Sequence, residues 1–219
     1  MLDVLHKNNQ FLVCNKPAGV PVQSDQTGDP SFQEEVEKYC KHQVHLVNRI
    51  DRPVSGVVLF AKSAAAMTAL TDQFRQRSIE KTYLAIVEGA PEAEAATLTH
   101  YLTHRGGKHK SSVSTTPDAQ AEEAVLRYKI LSRGERYTLL LVQPQTGRHH
   151  QIRAQLAAIG CPVKGDVKYG ARRGNPDRSI DLHAWKLKFE HPVSGEVIEV
   201  EAPLPEGKLW AALWAQIQK

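Results

Sequence analysis

Apolar residues along this chain fall mostly into short unbroken runs and strict alternations, with only a few stretches at helical spacing. Phe11-Leu12-Val13-Cys14 predicts a buried strand, and Val57-Val58-Leu59-Phe60-Ala61 predicts another. Alternation predicts strands over Lys81 to Val87 and Ala124 to Ile130, followed by a mostly apolar strand from Tyr137 to Val142. Leu182 to Phe189 and Glu196 to Glu201 flank Pro192-Val193-Ser194-Gly195, which reads as a hairpin turn. Helical signals are fewer. Asp29-Pro30-Ser31 with Glu34 marks a helix start whose apolar face carries Phe32, Val36 and Tyr39-Cys40. Ser63 caps a second helix with Met67, Leu70 and Phe74. Arg148 to Ile159 is helical by the spacing of Ile152, Leu156 and Ile159, with Gly160 placed to end it. Leu209, Leu213 and Ile217 mark a last amphipathic helix. Strands with short connections and few helices predict an α+β domain, a mixed and mostly antiparallel central β-sheet flanked by helices.

A chain of 219 residues has enough length for one sizeable core, and residues 1–219 are expected to form a single domain. The segment Glu88 to Glu94 is rich in Ala, Glu and Pro and reads as a surface loop, not a linker. A formal charge of +4 says little, but its distribution says more. The stretch 101–116 carries Arg105, Lys108 and Lys110 with His104 and His109 and no acid. From Arg148 to Arg173 there are six Lys or Arg and one acid, Asp166. Two acid-poor basic stretches suit a polyanion such as RNA or DNA, because cations near phosphates gain affinity by releasing counterions. Solvated loops are the plainer reading of the same residues. Cys14, Cys40 and Cys161 are too scattered for a disulfide framework or a zinc ribbon. The N-terminus lacks a signal-peptide pattern, and no apolar run is long enough to cross a bilayer, so a cytoplasmic location is expected.

The chemistry centres on Asn48-Arg49-Ile50-Asp51-Arg52-Pro53-Val54-Ser55-Gly56. A carboxylate set between two fixed cations favours its anionic form. Such a group suits nucleophilic or electrostatic work better than acid catalysis. The plain alternative is a structural ion pair at a strand end. Tyr83 lies on an alternating strand and reads as core or as a flat face for stacking on a base. In Thr146-Gly147-Arg148-His149-His150-Gln151-Ile152-Arg153, a turn opens a helix and spaces two arginines five apart, one fit for phosphate and one for a carboxylate. The bland version is an amphipathic helix with a solvated basic face. Phosphate-cradling glycine motifs are missing. His100 and His104 do not suggest a metal site, since they read as strand and loop. Ser55 with one of several histidines is conceivable as a hydrolase site, but it lacks the G-x-S-x-G elbow. A glycosidase pair would need a second carboxylate beside Asp51.

Together these segments resemble the RluA family of RNA pseudouridine synthases. Its H-R-[LI]-D-x-x-[TV]-S-G-[LV] run matches Asn48 to Val57 except at the first position. Its N-K-P-x-G matches Asn15 to Gly19, its K-x-Y strand Lys81 to Tyr83, and its T-G-R-x-H-Q-[IL]-R Thr146 to Arg153. G-D-x-x-Y-G resembles Gly165 to Gly170, and L-H-A with a later H-P resembles Leu182 to Ala184 and His191-Pro192. The matches are collinear over nearly the whole chain. Asn48 stands for the family's His, Val54 for a commoner Thr, and Gln155 for a frequent His.

The resemblance implies a catalytic set of Asp51 as nucleophile, Tyr83 packed on the target uracil and Arg153 as the ion-pair partner of Asp51. It implies that Arg49 moves into the space left by a flipped base. Arg52, Arg148, His149, Lys16, Arg105, Lys108, Lys110, Lys164 and Lys168 are the further expected RNA contacts. The substrate would be a structured ribosomal or transfer RNA, and Asp51 would attack C6, attack C1′ or take the 2′ proton. No metal, nucleotide or other cofactor is expected, nor a membrane partner, an S4 RNA-binding domain or a second subunit. The alternative within the same fold is an RNA-binding or assembly factor without activity; a nucleoside hydrolase is a third reading.

Overall fold

The computed structural model describes residues 2–104 and 110–217. In chain order these form β1 (Val4–Lys7), β2 (Phe11–Lys16), α1 (Phe32–Cys40), β3 (His45–Leu46), β4 (Ser55–Ala61) and α2 (Ala64–Gln76). Next come β5 (Glu80–Glu88), β6 (Ala95–Thr103), β7 (Ser112–Ser114), β8 (Glu122–Arg133) and β9 (Tyr137–Pro144). The chain ends with α3 (Gln151–Ala158), a 3₁₀ turn (Val167–Tyr169), β10 (Leu182–Glu190), β11 (Val197–Glu201) and α4 (Lys208–Trp214). The fold class is α+β. Two compact units emerge, Met1–Lys81 with His183–Leu204 and Thr82–Leu182 with Pro205–Lys219. The chain passes between them three times, which is why no linker composition marks them in the sequence.

In the first unit β2 is antiparallel to β1 and β4, with Phe11 opposite Ala61 and Lys16 opposite Gly56. The head of β4 pairs in parallel with β10, Ser55 facing His183, and β11 runs antiparallel on β10. One parallel pair among antiparallel ones makes this a mixed sheet. Phe11, Val13, Val57, Leu59, Leu187 and Phe189 form its core with Leu70 of α2. Ser31 caps α1 through the expected box, its hydroxyl accepting from Glu34 N–H while the Glu34 carboxylate accepts from Ser31 N–H. Ser63 caps α2 as expected. Met67, assigned to the apolar face of α2, is 37% exposed, because Leu70 and Ala66 are the α2 residues that reach the sheet.

In the second unit β5, β9, β8, β6 and β7 form an antiparallel series in that order. Alternate residues of β8 are buried, as its period-two pattern predicts. Ala154 of α3 packs with Leu102, Ala124 and Tyr169. The helix expected from Arg148 begins only at Gln151, since His150 takes a left-handed backbone (φ 52°) that no continuing helix tolerates. Among the described residues no helix is long and apolar enough to cross a membrane.

Candidate active site

Asp51 sits in a turn at the head of β4, half-buried, its carbonyl accepting from Val54 N–H at 3.0 Å. The turn is tied to the rest of the first unit mainly through backbone groups. Lys16, at the end of β2, is fully buried and donates to the carbonyls of Pro17 (2.8 Å), Val20 (2.8 Å) and Arg52 (3.2 Å). Three acceptors match the three N–H groups of an ammonium, so one side chain joins the Asn15–Gly19 loop to the Asp51 turn. Burial pushes the Lys16 pKa down to about 7, with the Asp51 charge pulling it up and Arg52 adding to the depression. Gly19 N–H adds a bond to the Arg52 carbonyl at 2.8 Å. Asn48 Oδ1 accepts from Leu59 N–H at 2.7 Å and holds the other side of the turn.

The arginines flanking Asp51 differ. Arg52 pairs with Asp29, lies 3.6 Å from Asp25, and donates to the Gly19 carbonyl (2.9 Å) and to Thr27 Oγ1 (3.0 Å). Its guanidinium therefore organises residues 19–29. Arg49 is exposed. At the exit of the turn, Gly56 has φ +115°, and a Cβ there would lie 2.1 Å from the Ala184 carbonyl oxygen. Only glycine fits where β4 meets β10. Ser55 Oγ lies 2.8 Å from Nδ1 of His183, which is 1% exposed. Burial pushes the His183 pKa down to about 4 against a weaker opposing pull from the Pro203 carbonyl. Where β4 and β10 run side by side, the two side chains form a cross-strand tie.

The second unit builds a cation site from side chains. Gln151, the first residue of α3, caps the helix backwards: Oε1 accepts from Arg148 N–H (3.0 Å) and Thr146 Oγ1 (2.7 Å), while Nε2 donates to the Val125 carbonyl (3.0 Å). This fixes the helix that carries Arg153. Arg153 is 4% exposed and engages Asp166 through Nε (2.6 Å) and Nη2 (2.9 Å). The Asp166 side chain is 2% exposed, so the fork is a buried, charge-assisted pair. Tyr169 lies against the guanidinium, 5.0 Å from ring centre to Cζ. The Tyr169 oxygen accepts from Ser111 N–H at 2.8 Å and lies 3.0 Å from His150 Nδ1. The solvated basic helix is therefore not what forms. Asp166 and Tyr169 escaped role assignment in the sequence; their signal was the Gly165 to Gly170 motif.

The remaining expected residues separate by environment. Tyr83 is half-buried on β5 opposite Val142. Lys16 is not an RNA contact, because its ammonium is enclosed by carbonyls. Arg52 is occupied by the 19–29 loop, and Lys164 is tied to Asp181 (2.9 Å) and Asn175 (2.8 Å). Arg148 pairs with Glu122 (2.6 Å) and donates to the Glu123 carbonyl (3.0 Å). Lys110 and Lys168 are exposed, and His149 is half-buried. Arg105 and Lys108 lie outside the described residues. A groove of about 500 Å³ in the first unit is lined by Asp29, Glu34 and Glu35 beside Lys38 and Arg52, the wrong charge for a polyanion. Among the described residues no three His, Cys, Asp or Glu side chains form a group able to hold a metal.

Residues 10–158 match the family model of RNA pseudouridylate synthases. The uncharacterized RNA pseudouridine synthase YhcT of Bacillus subtilis is 33% identical over 214 residues, covering 93% of this chain and 69% of that protein. Ribosomal large subunit pseudouridine synthase C of Escherichia coli is 33% identical over 219 residues, covering 93% and 67%. Among solved structures, human RNA pseudouridylate synthase domain containing 1 superposes with a TM-score of 0.79 at 25% identity, over 98% of this chain and 95% of that one.

Proposed function

The chain belongs to the RNA pseudouridine synthases of the RluA type, and we propose that it converts a specific uridine of ribosomal or transfer RNA to pseudouridine with Asp51 as nucleophile. The observation that carries this reading is the Asp51 turn itself. Lys16, Asn48 and Gly56 fix its backbone, while the adjacent Arg52 is directed at other acids. A turn so constrained around a half-buried carboxylate is what a reacting group requires.

The reaction breaks the C1′–N1 bond and forms C1′–C5; the C5 proton passes to water and N1 takes up a proton, so the product is an isomer of uridine. A stacked base hides these atoms, so the nucleotide leaves the stack at a cost of a few kcal/mol. Tyr83 stacking on the uracil and Arg49 filling the vacated space offset that cost. Arg153 is the reaction's fixed cation, and Asp166 with Tyr169 holds its guanidinium in one orientation. Lys110, Lys168, Arg148 and His149 offer cationic and flat groups to the RNA backbone and bases. In this reading the enzyme acts as one catalytic domain, monomeric and cytoplasmic, with no cofactor.

The test uses ribosomal and transfer RNA labelled with tritium at uridine C5, taken from cells deleted for the gene. Tritium release with a new pseudouridine at one position is the expected result. Binding without release would indicate an inactive RNA-binding factor, and liberated uracil would indicate a glycosidase. Either outcome overturns the proposal.

A further inference from the structure

We propose that His104, His149 and His150 form a stacking column whose exposed His104 end receives an unpaired base of the RNA substrate. The proposal rests on the RNA reading above. The ring centres of His104 and His149 are 3.9 Å apart, those of His149 and His150 are 3.7 Å apart, and the interplanar angles are 33° and 25°. These are aromatic stacking distances, not those of rings holding each other at arm's length.

The inner ring explains why three imidazoles can stack. The Tyr169 oxygen already accepts Ser111 N–H, which directs the Tyr169 O–H to His150 Nδ1. His150 thus serves as an acceptor and is neutral, and burial with the neighbouring Arg153 charge pushes its pKa down to about 2. The middle ring is fixed as well. Ser111 Oγ donates to the His149 carbonyl at 2.7 Å and lies 3.0 Å from its Nδ1. His104, just past the end of β6, is exposed. The column is therefore anchored in the buried Tyr169 cluster and ends in solvent as a flat π-surface.

The ligand class follows from the geometry. Rings stacked face to face keep their nitrogen lone pairs side by side, so they do not converge on one metal ion. A flat apolar face does accept a nucleobase of any identity. Exposed Lys110, whose ammonium lies 5.0 Å from the Tyr169 ring centre, places a phosphate-binding charge on the same cluster. His104 lies outside every motif named above, and position 149 is the variable one in T-G-R-x-H-Q. The outer end of the column, His104 with His149, therefore belongs to substrate selection, while His150 anchors it to the motif.

His104→Ala, His104→Phe and Lys110→Ala, compared with the unaltered protein, provide the test. Each is titrated with total RNA from the deletion strain over a range of salt, with tritium release measured in parallel. His104→Ala should bind about tenfold more weakly, within the range for one lost base stack, with an unchanged salt slope. Its kcat should hold while KM rises. His104→Phe should bind like the unaltered protein. Lys110→Ala should flatten the salt slope by about 1. Unchanged binding by His104→Ala overturns the proposal. So does a Phe variant as weak as the Ala variant, since a phosphate contact and not a stack would then be lost. Failure of the unaltered protein to release tritium counts against the enzymatic reading instead, and the binding series judges the column independently.

Discussion

Asp51 and Arg153 are held by opposite means. Around Asp51 the holding groups are main-chain carbonyls and N–H groups, gathered by the buried ammonium of Lys16 and the amide of Asn48. Around Arg153 they are side chains, Asp166 in the fork and Tyr169 on the face. A turn fixed through its backbone keeps its shape when the residue-51 carboxylate becomes a carboxamide of the same size. A guanidinium fixed by side chains loses its orientation when one partner changes. The two halves should therefore answer mutation differently, one chemically and one both structurally and chemically.

The sharpest contrast is Asp51→Asn. It should lower kcat by roughly four orders of magnitude while RNA binding and thermal midpoint stay near those of the unaltered protein. Tritium release with calorimetry checks this, and near-normal turnover would remove Asp51 from the reaction. Asp166→Asn should lower kcat about a hundredfold with little change in KM, and should also destabilise the fold, toward the ~3–5 kcal/mol typical of a broken buried pair. Denaturant titration beside kinetics would show both losses; a loss of stability alone would make Asp166 merely structural.

His183 tests the backbone-held half by pH. Its folded pKa is depressed, so the neutral ring stabilises the fold above the unfolded value near 6.5, and this contribution is lost as pH falls toward about 4. The effect is at most about 3 kcal/mol, and His183→Gln should flatten that part of the stability profile. Lys16→Met leaves three carbonyls without their donor and should cost about 1–3 kcal/mol. The smallest effect is expected for Arg49→Ala, a several-fold weaker capture of structured RNA with unchanged turnover on a substrate whose target base is already unstacked. Equal losses on both substrates would argue against Arg49 as the residue that fills the gap.

Much of this architecture was legible because local chemistry announces it. Alternation in Lys81 to Val87 and Ala124 to Ile130 marked β5 and β8, and Ser31 with Glu34 marked the start of α1. The site was legible as motifs but not as environments. Arg153 was legible as the partner of a carboxylate but not of Asp166, which is thirteen residues away beyond the end of α3. Lys16 looked like a phosphate contact because sequence shows a charge and not the three carbonyls folded around it. β6 was only half-read, since Thr and His positions blur its alternation. Non-local partners, not propensities, carried the missing information.

Asn48 gives the Asp51 turn one more property. Leu59 N–H needs an acceptor at that point, and an imidazole there would turn into a second donor on acidification, facing the first. A carboxamide oxygen takes up no proton across the biological range. The tether beneath the carboxylate is in that sense blind to acid, and any pH sensitivity of the turn must enter through other groups.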